Sequence, residues 1–127
     1  MVNRESLKRP HEGLDVWQRA MALVELIYAC SSKFPDAERF GLTAQIRRAA
    51  VSVPSNIAEG AARRSTPELL RFLSISRGSL SELDTQWRIA TRLGYIKPSA
   101  DIDEHIDDVF SMLTGLMNSL QARGSAR

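Results

Sequence analysis

The sequence predicts an all-α fold: an antiparallel, up-down-up-down four-helix bundle whose second helix is kinked by a proline. Apolar residues recur at steps of three and four in four successive segments, and no segment sustains the alternation of a half-buried strand. Short connections between those segments place consecutive helices side by side. The chain has 127 residues, 43% of them hydrophobic and 25% charged, which suits one globular domain with a single core.

The first helix is expected from Leu14 to about Ser32. Leu14, Trp17, Met21, Val24 and Tyr28 recur at helical spacing, with Val16, Ala20, Leu23 and Ile27 alongside, so two faces should be buried. Asp15 followed by Gln18 resembles a capping box, and Phe34-Pro35 ends the segment. The second helix should start near Gly41 and bury Leu42, Ile46, Ala49, Val53, Ile57 and Ala61. That stripe keeps its phase across Pro54, which predicts one kinked helix and not two. Proline removes the bond to the Ala50 carbonyl at a cost of about 3 kcal/mol unless another group compensates, and Ser52 and Ser55 are the near candidates.

Ser65 and Glu68 form a second capping box with Pro67 in the first turn, which starts the third helix. Its seam of Leu69, Leu73, Ser76, Leu80, Leu83, Trp87 and Ala90 follows a 3.5-residue period, as bundles do. Gly94 closes it. The fourth helix opens around Ser99 to Asp101 and carries Ile102, Ile106, Val109, Leu113, Leu116 and Leu120. Asp101, Asp103 and Glu104 in its first turn complement the helix dipole. The expected layout is a flexible polar arm over residues 1–13, a bundle domain over 14–121 and a frayed tail over 122–127.

No apolar run approaches the roughly 18 residues of a membrane span. The opening MVNRESLKRPHEG has no apolar h-region, and the lone Cys30 fits a reducing compartment, so a cytoplasmic location is expected. Net charge is only +2, yet residues 39–97 hold ten bases against four acids (10 − 4 = +6), while residues 99–127 hold five acids against two bases (2 − 5 = −3). Fourteen of the 17 basic residues are Arg, whose planar fork suits phosphate and carboxylate. Codon bias explains that ratio equally well.

The chemistry of four-helix bundles is often metal chemistry. Glu25, Glu59, Glu82 and Glu104 supply one Glu per helix, but the residues three positions on are Tyr28, Ala62, Thr85 and Asp107. A di-iron carboxylate site needs Glu-x-x-His on two helices, so no metal and no other cofactor is expected. Cys30 has no evident His partner, and Gly41, Gly60 and Gly78 are isolated, which leaves neither a nucleophile nor a phosphate loop. The sequence therefore reads as non-enzymatic, with no catalytic residues and no small-molecule substrate.

Gly60 and Gly78 each cost a helix about 1 kcal/mol relative to Ala, which suggests close backbone approach, with Gly78 beside Ser76 and Ser79. Asn56 and Glu59 lie on or beside the second stripe and Glu82 beside the third. They form either a buried registry layer or, for Glu59, a surface pair with Arg63. The Arg pairs are the remaining signal: Arg47-Arg48, Arg63-Arg64, then Arg71, Arg77, Arg88 and Arg92. Like charges placed so closely point to phosphates or an acidic partner.

The segments QIRRAAVSVPSNIAEGAARRS, ELLRFLSISRGSLSELDTQ and RLGYI, with LDVWQRAM and FPDAERFGLTAQ before them, resemble the four-helix-bundle proteins encoded in 23S rRNA intervening sequences. Ser76 stands where that pattern often has Ala, a departure expected to matter little. These proteins look related to the accessory variability proteins of diversity-generating retroelements. The resemblance, over roughly residues 14–120, implies a ring-shaped homo-oligomer, a pentamer, with a basic surface for nucleic acid. It points to Arg47, Arg48, Arg63, Arg64 and Arg71 for phosphate contact. Pro54, Gly60, Gly78 and Ser79 fall to backbone geometry, and Asn56 and Glu59 to helix or subunit registry. With no aromatic platform beside the Arg clusters, contact with structured RNA or DNA should run through the phosphate backbone. The alternative is a protein-interaction adaptor that binds no nucleic acid.

Overall fold

The structure, a computed structural model, describes residues 9–125. Four helices account for most of them: α1 (Asp15–Ser31), α2 (Leu42–Ala61), α3 (Thr66–Arg92) and α4 (Ala100–Ser125), with a short 3-10 turn at Asp36–Glu38. No strand occurs among the described residues. Each helix touches its chain neighbours, and α1 also meets α4, which closes the four-helix bundle.

The apolar periodicity translates directly into one core. Ala20, Leu23 and Ile27 of α1, Ile46, Val53 and Ile57 of α2, Leu73, Leu80, Leu83 and Trp87 of α3, and Ile106, Val109 and Leu113 of α4 are all buried in one cluster. Helix α1 departs from expectation. Val16, Ala20, Leu23, Ile27 and Cys30 are buried and Leu14, Trp17 and Val24 are partly buried against the core, while Met21 and Tyr28 are about two-fifths exposed (39% and 43%). With α2 and α4 packed against it, α1 buries most of its wide apolar face and leaves Met21 and Tyr28 toward solvent.

The helix ends show which local signals decided them. Ser65 caps α3 by accepting from the Glu68 amide (3.3 Å), and Gly94, at φ 76°, closes it: Tyr95 N donates to Ala90 O and Gly94 N to Thr91 O. That pairing is the Schellman closure a glycine permits. Ser99 Oγ accepts from Ile102 N (3.4 Å) where α4 opens. The expected Asp15–Gln18 box does not form. Leu14 is the N-cap without a side-chain bond, and Gln18 Nε2 instead donates to Glu12 O (3.3 Å). Glu38 Oε1, from the 3-10 turn, accepts from Leu42 N (3.2 Å) and supplies the cap that Gly41 lacks.

Of the expected arm, residues 1–8 lie outside the described residues. Residues 10–13 form a turn, and the His11 ring lies 4.7 Å from that of Trp17. Helix α4 continues to Ser125, beyond the boundary expected at residue 121.

Candidate nucleic-acid interface

The α2–α3 pair sets the geometry of the basic segment. Its contacts run in opposite senses: Ser52 Oγ meets Ser79 Oγ (2.8 Å), Ser76 Oγ donates to Val53 O (2.8 Å), and Gly60 sits against Leu69 and Phe72. Pro54 is buried within a continuous α2. Ser52, one expected partner for the freed Ala50 carbonyl, is held by Ser79 and accepts from Asn56 Nδ2 (2.9 Å). The hydroxyl that reaches the backbone beside the proline comes from α3. Ser76, dismissed above as a minor departure, is fully buried and bonds one carbonyl before Pro54.

The two interior glycines part company. A Cβ on Gly60 would lie 2.8 Å from Phe72 Cβ and 3.3 Å from the Leu69 carbonyl oxygen, so α2 crosses the start of α3 here because glycine allows it. Gly78 is exposed and a Cβ there would meet nothing within 4 Å. The close approach expected at Gly78 is absent; the contact with α2 is made by buried Ser76, whose hydroxyl reaches Val53 O. Asn56 is half-buried and binds within its own helix, to Ser52 O at 2.8 Å. Glu59 is exposed and pairs with Arg63 at 3.5 Å, the surface alternative and not a buried layer.

The five arginines nominated for phosphate contact are unequal. Arg47 is half-buried and clamps α2 to the end of α1: its Nε donates to Ser31 Oγ (2.8 Å), its Nη2 to Tyr28 O (3.3 Å), and its guanidinium lies 4.7 Å from the Tyr28 ring centroid. Positive charge on helix-terminal carbonyls is favourable in itself, which gives Arg47 a structural role. Arg63 pairs with Glu59 and Arg71 with Glu68 (3.3 Å), and both guanidiniums lie over Phe72, at 4.8 and 4.5 Å. An aromatic ring therefore does adjoin the Arg cluster, but it is buried and covered by cations, so no base can stack on it. Arg48 and Arg64 are exposed, and among the described residues neither has a carboxylate within 4.0 Å.

The fold adds a basic residue that periodicity alone did not nominate. Because α4 runs past Gln121, Arg123 and Arg64 both line a cleft between the α2–α3 turn and the last turns of α4. Arg123 is exposed and has no carboxylate partner within 4.0 Å among the described residues. The signal was present in Leu113, Met117 and Leu120, which keep helical spacing to the edge of Gln121-Ala122-Arg123 with no breaker before Gly124.

The opposite end of the bundle joins the α1–α2 connection to the α3–α4 turn. Tyr95 Oη donates to Glu38 Oε2 (2.8 Å), a bond that raises the Tyr95 pKa, and Trp87 Nε1 donates to Asp103 Oδ1 (3.1 Å). Cys30 is buried there, and burial pushes its thiol up to about 11. A nucleophilic cysteine needs a lowered value, so this one behaves as a core residue. No group of three or more His, Cys, Asp and Glu that could hold a metal comes together among the described residues, and no described helix is long and apolar enough to cross a membrane.

No curated protein matches the sequence. The family model described as 23S rRNA-intervening sequence protein matches residues 12–115, which span all of α1, α2 and α3 and most of α4. On that match the chain belongs to the 23S rRNA-intervening sequence protein family.

Proposed function

We propose that this chain is a non-catalytic accessory protein that binds structured RNA or DNA through phosphate contacts. In this reading its up-down-up-down bundle assembles into a ring-shaped homo-oligomer, a pentamer as the family resemblance implies, and acts in the cytoplasm. The observation that carries the reading is the state of the arginines. Arg48 and Arg64 stand exposed without acid partners on a segment whose net charge is strongly positive, and Arg123 joins Arg64 from another helix. Unpaired guanidiniums, Arg48 and Arg123 on helices and Arg64 in the α2–α3 turn, suit phosphate oxygens, and repetition around a ring would multiply the field. Arg47, Arg63 and Arg71, held in internal contacts, contribute to the positive potential more than to direct contact.

The test is a fluorescence-anisotropy titration against a structured RNA and a duplex DNA across a salt series, with mass read by light scattering. Affinity should fall log-linearly with salt, with a slope of about −0.9 per duplex phosphate neutralised. Arg48→Glu with Arg64→Glu should remove binding from an intact oligomer. Absence of binding at low salt would overturn the reading. A second reading, a protein-interaction adaptor, is favoured by Val51, Ile75 and Ile89, each about 40% exposed on α2 and α3. It predicts assembly or partner binding without nucleic-acid affinity.

A further inference from the structure

The cleft between the α2–α3 turn and the end of α4 has a volume of about 1020 Å³. Arg64 and Arg123 lie on its lining, and Pro67, Leu70 and Leu120 supply an apolar surface between them. Leu120 is buried at 7% exposure and Leu70 packs against the core, so this surface is fixed by the bundle and does not depend on a loop. Among the described residues neither cation has a carboxylate partner, and both line the same cleft as this aliphatic surface. The volume is at the upper end of small-molecule sites, roughly 300–1,000 Å³, and far exceeds what one inorganic anion fills.

From this juxtaposition we infer that the cleft takes one unpaired nucleotide, its phosphate between Arg64 and Arg123 and its sugar and base against Pro67, Leu70 and Leu120. The inference rests on the nucleic-acid reading above and sharpens it: the protein engages a single-stranded element as well as a phosphate backbone. A base inside a duplex is stacked and paired, and it cannot turn its face to a concave apolar wall. Aliphatic side chains offer no hydrogen-bonding edge, so Pro67, Leu70 and Leu120 do not select a base; any preference comes from Ser65, Thr66 and Gln121, which also line the cleft. Arg63 and Arg71 border the site without entering it, since their guanidiniums lie over Phe72 and pair with Glu59 and Glu68. Arg123 is thus the residue that separates this site from the general basic surface.

The experiment uses the full chain with its arginine side-chain Nε–Hε signals followed by NMR. Uridine 5′-monophosphate and inorganic phosphate are titrated separately, and in parallel a labelled oligouridylate and a blunt RNA hairpin closed by a non-nucleotide linker, which has no unpaired base, are followed by anisotropy. The nucleotide should shift the Arg64 and Arg123 signals saturably, and inorganic phosphate should do so only at much higher concentration. Arg123→Ala should weaken oligouridylate binding roughly tenfold, the loss of one charge-assisted contact, while hairpin binding changes by less than about twofold. Equal responses to phosphate and nucleotide, or an Arg123→Ala protein that binds oligouridylate like the parent, would overturn the site. If Arg48→Glu with Arg64→Glu still abolishes hairpin binding in that case, the broader reading survives alone. Conversely, a saturable nucleotide response with no affinity for hairpin or duplex would keep the cleft and sink the structured-nucleic-acid reading.

Discussion

Arg47 at one end of the bundle and Arg64 with Arg123 at the other are the same residue type in opposite states. At the end built by the α1–α2 connection and the α3–α4 turn, polar groups are bound to one another: Arg47 to Ser31 and Tyr28, Tyr95 to Glu38, Trp87 to Asp103. At the other end, Arg64 and Arg123 line a cleft, and among the described residues no acid pairs with either. An arginine held by helix-terminal carbonyls stabilises the fold, whereas one left to solvent adds little stability and remains available to a ligand. Arginine content therefore says less about binding than arginine occupancy does.

The largest expected effect lies at the cleft end, where Gly60 lets α2 cross α3. Gly60→Val should destabilise by about 3 kcal/mol, because the new side chain meets the Phe72 Cβ and the Leu69 carbonyl, neither of which yields easily. Chemical denaturation would read it, and an unchanged midpoint would mean the crossing is looser than 2.8 Å implies.

Next is the direct contrast of arginines. Arg47→Ala should cost about 1.5 kcal/mol and leave the Ser31 hydroxyl and the Tyr28 carbonyl without this donor, with RNA affinity nearly intact, while Arg64→Ala should leave the midpoint unchanged and weaken RNA binding. If the two variants behave alike, the division between bound and free arginines fails.

Away from both ends, Gly78→Ala should stabilise by about 0.5–1 kcal/mol, since the position is open and helical. A loss of stability in the monomer would show that something covers this glycine. Gln86 tests the middle of the bundle in another way: it is buried with Oε1 unpartnered, and Nε2 donates only to Glu82 (3.3 Å). Gln86→Met should be neutral or stabilising by up to about 1 kcal/mol, because it removes a desolvated acceptor at the loss of one long, part-buried bond.

The smallest effect sits at the bound end. The fold holds Cys30 neutral up to about 11 from an ordinary value of 9.0, the reverse influence of Lys33 and Arg47 being weaker than burial. A raised folded pKa means that this contribution is complete below pH 9 and is lost as pH climbs toward 11. Melting between those values should be flatter in Cys30→Ala than in the parent, and equal slopes would place the thiol in water.

Much of the fold was legible because burial in a helix is written locally. Ile46, Val53 and Ile57, or Leu73, Leu80 and Trp87, repeat at a spacing that only one face of a helix can satisfy. Ser65, Gly94 and Ser99 marked ends through bonds within a few residues. The candidate site was legible only as a set of arginines. Sequence distance hid that Arg47 lies 16 residues from Ser31 yet is bonded to it, or that Arg123 reaches the turn containing Arg64. The false capping box at Asp15 failed for a related reason: Gln18 found the Glu12 carbonyl, a partner outside the motif.

The sequence by itself determined the four helices, the core they share and the excess of positive charge between residues 39 and 97, since hydrophobic spacing, caps and composition act over a few residues each. Only the tertiary structure decided which glycine touches a neighbour, which serine reaches across to the backbone beside Pro54, and which arginines remain free. Those outcomes depend on which side chains from distant helices arrive at the same place, and no local periodicity encodes that.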